Sequence, residues 1–115
     1  MFNKLFNKRV SLFQQGDVIL EEVVFLPITA KKVKVEKEIV LAEGEVTGHK
    51  HTITVDNPEL IELYEKDGQL FVKAKDNFNV LHQEHNTITV PQGIWKVRKV
   101  REYDHFEEEV RQVKD

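Results

Sequence analysis

The sequence predicts an all-β fold, a small single-domain barrel or sandwich of about eight short strands followed by a short C-terminal helix. Three observations carry that expectation. From about residue 17 to 103, short runs rich in Val, Ile, Thr and aromatic residues are punctuated by Gly, Pro, Asn and Asp, and no long stretch keeps helical spacing. Several runs alternate apolar with charged residues, the mark of a strand with one wet face. A length of 115 residues suits one hydrophobic core, and no linker or low-complexity segment divides it, so residues 1–115 read as one domain.

The elements follow in chain order. Residues 1–13 contain Phe2, Leu5, Phe6 and Val10 with Lys4 and Lys8 beside them, a spacing that fits a terminal arm or short amphipathic helix. Gly16-Asp17 opens the run Val18 to Val24, and Leu26-Pro27 closes it because proline cannot donate to a sheet ladder. Val33, Val35 and Ile39 among Lys32, Lys34 and Glu36 predict a second strand reaching Ala42. Gly44 and Gly48 bracket a loop. Leu60 to Glu65 and Leu70 to Lys75 form a hairpin around Asp67-Gly68, a pair suited to the positive φ angles of a tight turn. Phe78 to His82, Thr87 to Val90 and Ile94 to Tyr103 supply the remaining strands. Asp104 with Glu107 resembles a capping box, and Phe106, Val110 and Val113 continue a helix over 104–113.

Composition excludes more than it selects. The charge of −3 gives no global attraction to nucleic acid or an anionic surface. The chain has no cysteine, so disulfides, thiolate nucleophiles and zinc fingers are excluded, and a transition metal would be held by nitrogen and oxygen. The N-terminus lacks the apolar run and small-residue cleavage site of a secretory signal, and no transmembrane segment is apparent; a cytoplasmic location is expected. Ser11 is the only serine, which argues against a serine triad, and no glycine-rich phosphate loop is present.

Four of the five histidines fall in two clusters, His49-Lys50-His51 and His82-Gln83-Glu84-His85, each leading into a Thr-Ile-Thr-Val phrase. Strand alternation puts His49, His51, Ile53 and Val55 on one face, opposite Lys50, Thr52 and Thr54. Phe78, Val80, His82 and Glu84 share the inward parity of the second cluster, and a bulge or turn would bring His85 inward as well. Imidazole is the commonest protein metal ligand, and a catalytic ion takes three protein ligands with one open position. His49, His51 and His82 are expected to fill those three places on a divalent metal (zinc, iron, manganese or nickel), with His85 or Glu84 as a fourth ligand or as acid/base; Glu45 and Asp56 are further carboxylate candidates. The competing interpretation has these histidines as hydrogen-bonded residues near turns. His105 stands apart and reads as a solvated residue.

Gly44, His49-Lys50-His51, Asp56 and the later Pro91-Gln92-Gly93 together resemble a minimal cupin, over roughly Gly44 to Lys96. The resemblance implies a metal-binding barrel, often an oxygenase, isomerase or sugar-modifying enzyme. That family's last histidine follows the Pro-x-Gly turn, where this chain has Ile94-Trp95-Lys96, so His82 or His85 would replace it; Asp56 stands where glutamate is usual.

Lys96, Arg98, Lys99 and Arg101 around Trp95 and Tyr103 form a basic and aromatic strand of a kind that contacts nucleic acid, but Glu107-Glu108-Glu109 follow and can neutralise it, which makes that the weaker reading. The functional expectation is a divalent-metal-binding β protein acting on a small-molecule substrate by hydrolysis, hydration or oxygenation. Its alternative is a non-catalytic interaction or assembly protein, and exposed edge strands favour a homo-oligomer in either case.

Overall fold

A computed structural model describes residues 11–43 and 48–100, and these form ten strands with no helix among them. The strands are β1 (Leu12–Gln15), β2 (Val18–Val23), β3 (Lys31–Val33), β4 (Glu38–Glu43), β5 (Lys50–Thr54), β6 (Ile61–Lys66), β7 (Gln69–Ala74), β8 (Phe78–Leu81), β9 (Ile88–Val90) and β10 (Gly93–Lys99). Six build one sheet in the order β1-β2-β10-β7-β6-β3, and four build a second in the order β4-β5-β8-β9. Every pairing is antiparallel. Among the described residues the two ladders remain separate, so the architecture is two sheets sharing a core, and a closed barrel does not form.

That core is filled from both sheets. Val18, Leu20, Leu63, Val72 and Trp95 of the larger sheet meet Ile39, Ile53, Phe78, Val80 and Val90 of the smaller one. Burial of these alternating side chains is the main force holding the layers together. Trp95 is fully buried, edge-on to Phe13 at 5.4 Å between ring centroids, and its indole N–H donates to the Pro91 carbonyl at 3.0 Å. Trp95 therefore presents no face on which a base could stack.

The hairpin centred on Asp67-Gly68 forms as the sequence predicts. Lys66 pairs with Gln69, and both intervening residues have positive φ, 52° at Asp67 and 80° at Gly68. Among the described residues ten strands form where about eight are expected, and boundaries differ: the last strand, expected to reach Tyr103, ends at Lys99. The run from Val33 to Ala42, expected as one strand, is two: β3 lies at the edge of the larger sheet, and β4 belongs to the smaller. Residues 34–37 carry the chain between layers, and alternation alone does not distinguish one long strand from two that change sheets. Leu12 and Phe13, expected in the terminal arm, enter β1 and pair with Glu21 and Leu20. Residues 1–10 of the expected arm, the helix over 104–113, Gly44, Glu45, Arg101, Tyr103, His105 and Glu107-Glu108-Glu109 lie outside the described residues. No helix of the described residues is long and apolar enough to cross a membrane.

Candidate functional site

The four histidines singled out by their spacing meet at one end of the smaller sheet. The register of β5 with β8 pairs Thr52 with Leu81 and Ile53 with Val80, which sets His51 beside His82, the residue that follows β8. The side chains follow it: the His51 and His82 ring centroids are 4.4 Å apart, His49 and His82 5.7 Å, and His49 Nδ1 lies 3.7 Å from Glu84 Oε1. His85, in the β8–β9 connection, lies 4.6 Å from His82 and 6.0 Å from His51, its plane within 14° of the His51 ring. His82 thus touches each of the other three. The β4–β5 ladder shifts register between Val40 and Ala42, beside His51, as a bulge does where a strand is re-aimed.

Burial grades the cluster. His51 is 1% exposed, on the same face as Ile53 and Val55, as its parity predicts. His49 and His82 are half-buried, while Glu84 and His85 are exposed on the connection. Glu84, expected to face inward, is turned out because the chain leaves strand geometry after Leu81. Asp56 follows the far end of β5 and lines a separate open groove of about 390 Å³ with Asn57, Leu60, Asp76 and Asn79, so it does not join the histidines.

Two residues that histidine spacing could not reveal complete the site. Gln15, 1% exposed at the end of β1, donates through Nε2 to the carbonyls of Val80 at 2.8 Å and Asn86 at 2.9 Å. Both amide hydrogens are then used, so Oε1 accepts from His51 Nδ1 at 2.8 Å and fixes that ring's tautomer. The neutral His51 ring therefore directs the Nε2 lone pair outward, where Asp17 Oδ1 stands 3.3 Å away. A signal for Gln15 existed: it shares parity with Phe13, and a polar side chain on an inward face must have partners. Asp17 looked only like a turn residue.

Gly16 is required between them. Its φ is +59°, and a Cβ there would stand 2.5 Å from His85 Nε2, so the imidazole of His85 lies directly against the glycine backbone. His82 is held differently. Its Nδ1 accepts the amide N–H of Glu84 at 3.0 Å and of His85 at 3.3 Å, which puts the proton of the neutral ring on Nε2. Gln83 accepts the Lys50 amide at 3.0 Å and ties the same connection back to β5.

Electrostatics keep the inner rings neutral. Burial, then the nearby His82 and His85 imidazoles, hold His51 below the ordinary histidine pKa, opposed in part by the Asp17 carboxylate. Burial, then His85 and His49, lower His82. Among the described residues, no three ligating side chains are already gathered as a complete metal-binding group. What is assembled is a buried, oriented imidazole facing a carboxylate, with three further imidazoles around it.

The basic strand is spoken for in part. Arg98 pairs with Glu21 at 3.1 Å, and Lys99 lies 3.8 Å from Asp17 Oδ2.

No curated protein and no solved structure matches the chain. A family model described as a domain of unknown function (DUF8820) matches residues 14–100, a span that begins just before Gln15 and contains all four clustered histidines, and the chain belongs to that family.

Proposed function

We propose that this is a cytoplasmic divalent-metal-binding β protein whose ion is held by His51 Nε2, Asp17 and His85, with His49 and His82 on the walls of the site. The carrying observation is the pair of facing acceptors, the Nε2 lone pair of His51 and Asp17 Oδ1 at 3.3 Å. Two acceptors in that relation suit a shared cation, and Lys99 already stands 3.8 Å from the other Asp17 oxygen. A proton is disfavoured by the burial and neighbouring imidazoles that lower the His51 pKa. Bonds of 2.0–2.2 Å to a tetrahedral ion separate two ligand atoms by about 3.4 Å, close to the distance present. Gln15 supports the reading further, because a ligating histidine ordinarily donates its other ring N–H to an oxygen acceptor. His85, whose ring lies against Gly16 on an exposed connection, would supply a third nitrogen once its side chain turns toward them.

Such an ion would supply Lewis acidity toward a substrate oxygen or an activated water. The chain's own contributions are separate. His82, with its proton on Nε2, is a hydrogen-bond donor at the site. Glu84, exposed beside His49, is the carboxylate able to accept a proton from a bound substrate. Small oxygen-bearing substrates undergoing hydrolysis, hydration or oxygenation suit this set.

Reconstitution with zinc, iron, manganese or nickel, followed by desalting and elemental analysis, tests the reading. The parent chain is expected to retain about one ion, and Asp17→Asn, which keeps the turn but removes the anionic oxygen, to bind ten- to a hundredfold more weakly. A parent that retains none of these ions, or an Asp17→Asn variant that binds equally well, would refute it.

A further inference from the structure

The β2–β3 connection carries an apolar group that the core does not use. Val24, Phe25 and Ile28 are 89%, 73% and 101% exposed, while Leu26 and Pro27 between them are half-buried and anchor the loop. The amide of Ala30 donates to the Pro27 carbonyl at 3.0 Å, closing a turn that presents Ile28 at its tip. Isolated exposed apolar residues need no explanation, but three large ones within five positions on a preformed turn form a protruding apolar tip. It lies at the opposite end of β2 from Asp17, about 20 Å away at the usual rise per residue, and is independent of the histidine site.

Charge distinguishes among occupants. The loop runs directly into Lys31 and Lys32 of β3, both exposed, and then into the exposed Lys34. Glu62 stands 3.2 Å from Lys32 and Glu65 is the register partner of Lys31, while Glu22 precedes the loop and the exposed Glu36 follows Lys34. β3 is an edge strand, yet antiparallel pairing with a second copy would bring this lysine row against its own image, a device by which edges resist self-association. A protruding apolar tip with lysines at its base suits a surface that accepts inserted side chains and carries negative charge at their margin.

We propose that this loop docks the protein on an anionic lipid surface, with Phe25, Ile28 and Val24 entering the headgroup boundary and Lys31 and Lys34 meeting lipid phosphate or carboxylate groups. Side chains of this size each strengthen partitioning when buried, and each lysine near the surface adds electrostatic attraction that salt screens.

Sedimentation of the full chain with vesicles of phosphatidylcholine alone, and of phosphatidylcholine mixed with phosphatidylserine, tests this. Binding is expected only to the mixed vesicles and is expected to weaken with salt. The double variant Phe25→Ala, Ile28→Ala should lower partitioning about a hundredfold. Lys31→Gln with Lys34→Gln should lower it about thirtyfold. All these side chains are exposed, so each variant should unfold at the parent's temperature, which circular dichroism verifies. The proposal fails if the parent does not sediment, if it binds neutral vesicles equally, or if folded variants bind like the parent. Self-association that the apolar double variant abolishes, without vesicle binding, would assign the loop to a second copy and overturn the lipid reading.

Discussion

Gln15 is the residue on which the site turns, because one buried amide does three things at once. It links the end of β1 to a carbonyl of β8 and another of the β8–β9 connection, and it sets the tautomer of His51. Replacing it by leucine leaves two carbonyls and an imidazole N–H without partners in the interior. Each such group costs about 1–3 kcal/mol, so Gln15→Leu is expected to lose about 3 kcal/mol or more in denaturant unfolding. In the variant that still folds, His51 is free to change tautomer, and metal affinity should fall ten- to a hundredfold in a competition titration. A Gln15→Leu protein as stable as the parent would show that these hydrogen bonds are not what holds the two layers together at this end.

At the scale of elements, the pairing of two strands distant in sequence makes the site. β5 and β8 bring histidines together because His51 of β5 and His82, the residue that follows β8, flank the shared apolar row of Ile53 and Val80. The tight turn of the β6–β7 hairpin is remote from that work. Gly68→Ala, forced to hold φ near 80°, is expected to cost about 1–2 kcal/mol in unfolding while leaving metal binding unchanged, since β6 and β7 contribute nothing to the cluster. A large change in metal affinity in this variant would contradict that separation. The same contrast explains what was legible in the sequence. The Asp67-Gly68 hairpin and the inward parity of His51 are local, with periodicities of one or two residues, and they stand as expected. The division of the Val33 to Ala42 run between sheets is not local: it depends on which neighbour each half finds. Gln15 and Asp17 join the histidines from 34 or more residues away, through the packing of β1 against the β8–β9 connection, and no spacing rule encodes that contact. Glu84 turned outward because the chain abandons strand geometry just where parity was extrapolated.

The whole molecule couples this cluster to stability through pH. His51 and His82 both have folded pKa values lowered from 6.5, so the folded protein resists taking up protons that the unfolded chain accepts. The stability associated with their neutral forms is fully present above pH 6.5 and is lost as pH falls through that value toward the lowered folded pKa values. Thermal unfolding of the metal-free protein should therefore be level above neutrality and move to lower temperature on acidification below about pH 6.5. In His82→Asn, which removes one of the two groups, the decline should be shallower; an identical decline would assign it to other residues.

The most direct test of the central claim is a long-range proton–nitrogen NMR spectrum of the histidine side chains, recorded on the full chain before and after one equivalent of zinc. Before zinc, His51 should show a protonated Nδ1 and a bare Nε2, and His82 the reverse. On addition, the Nε2 of His51 and one ring nitrogen of His85 should shift to metal-bound positions while His51 Nδ1 keeps its proton against Gln15. Imidazole signals that stay unmoved at stoichiometric zinc, or a His51 ring that binds through Nδ1, would contradict the account.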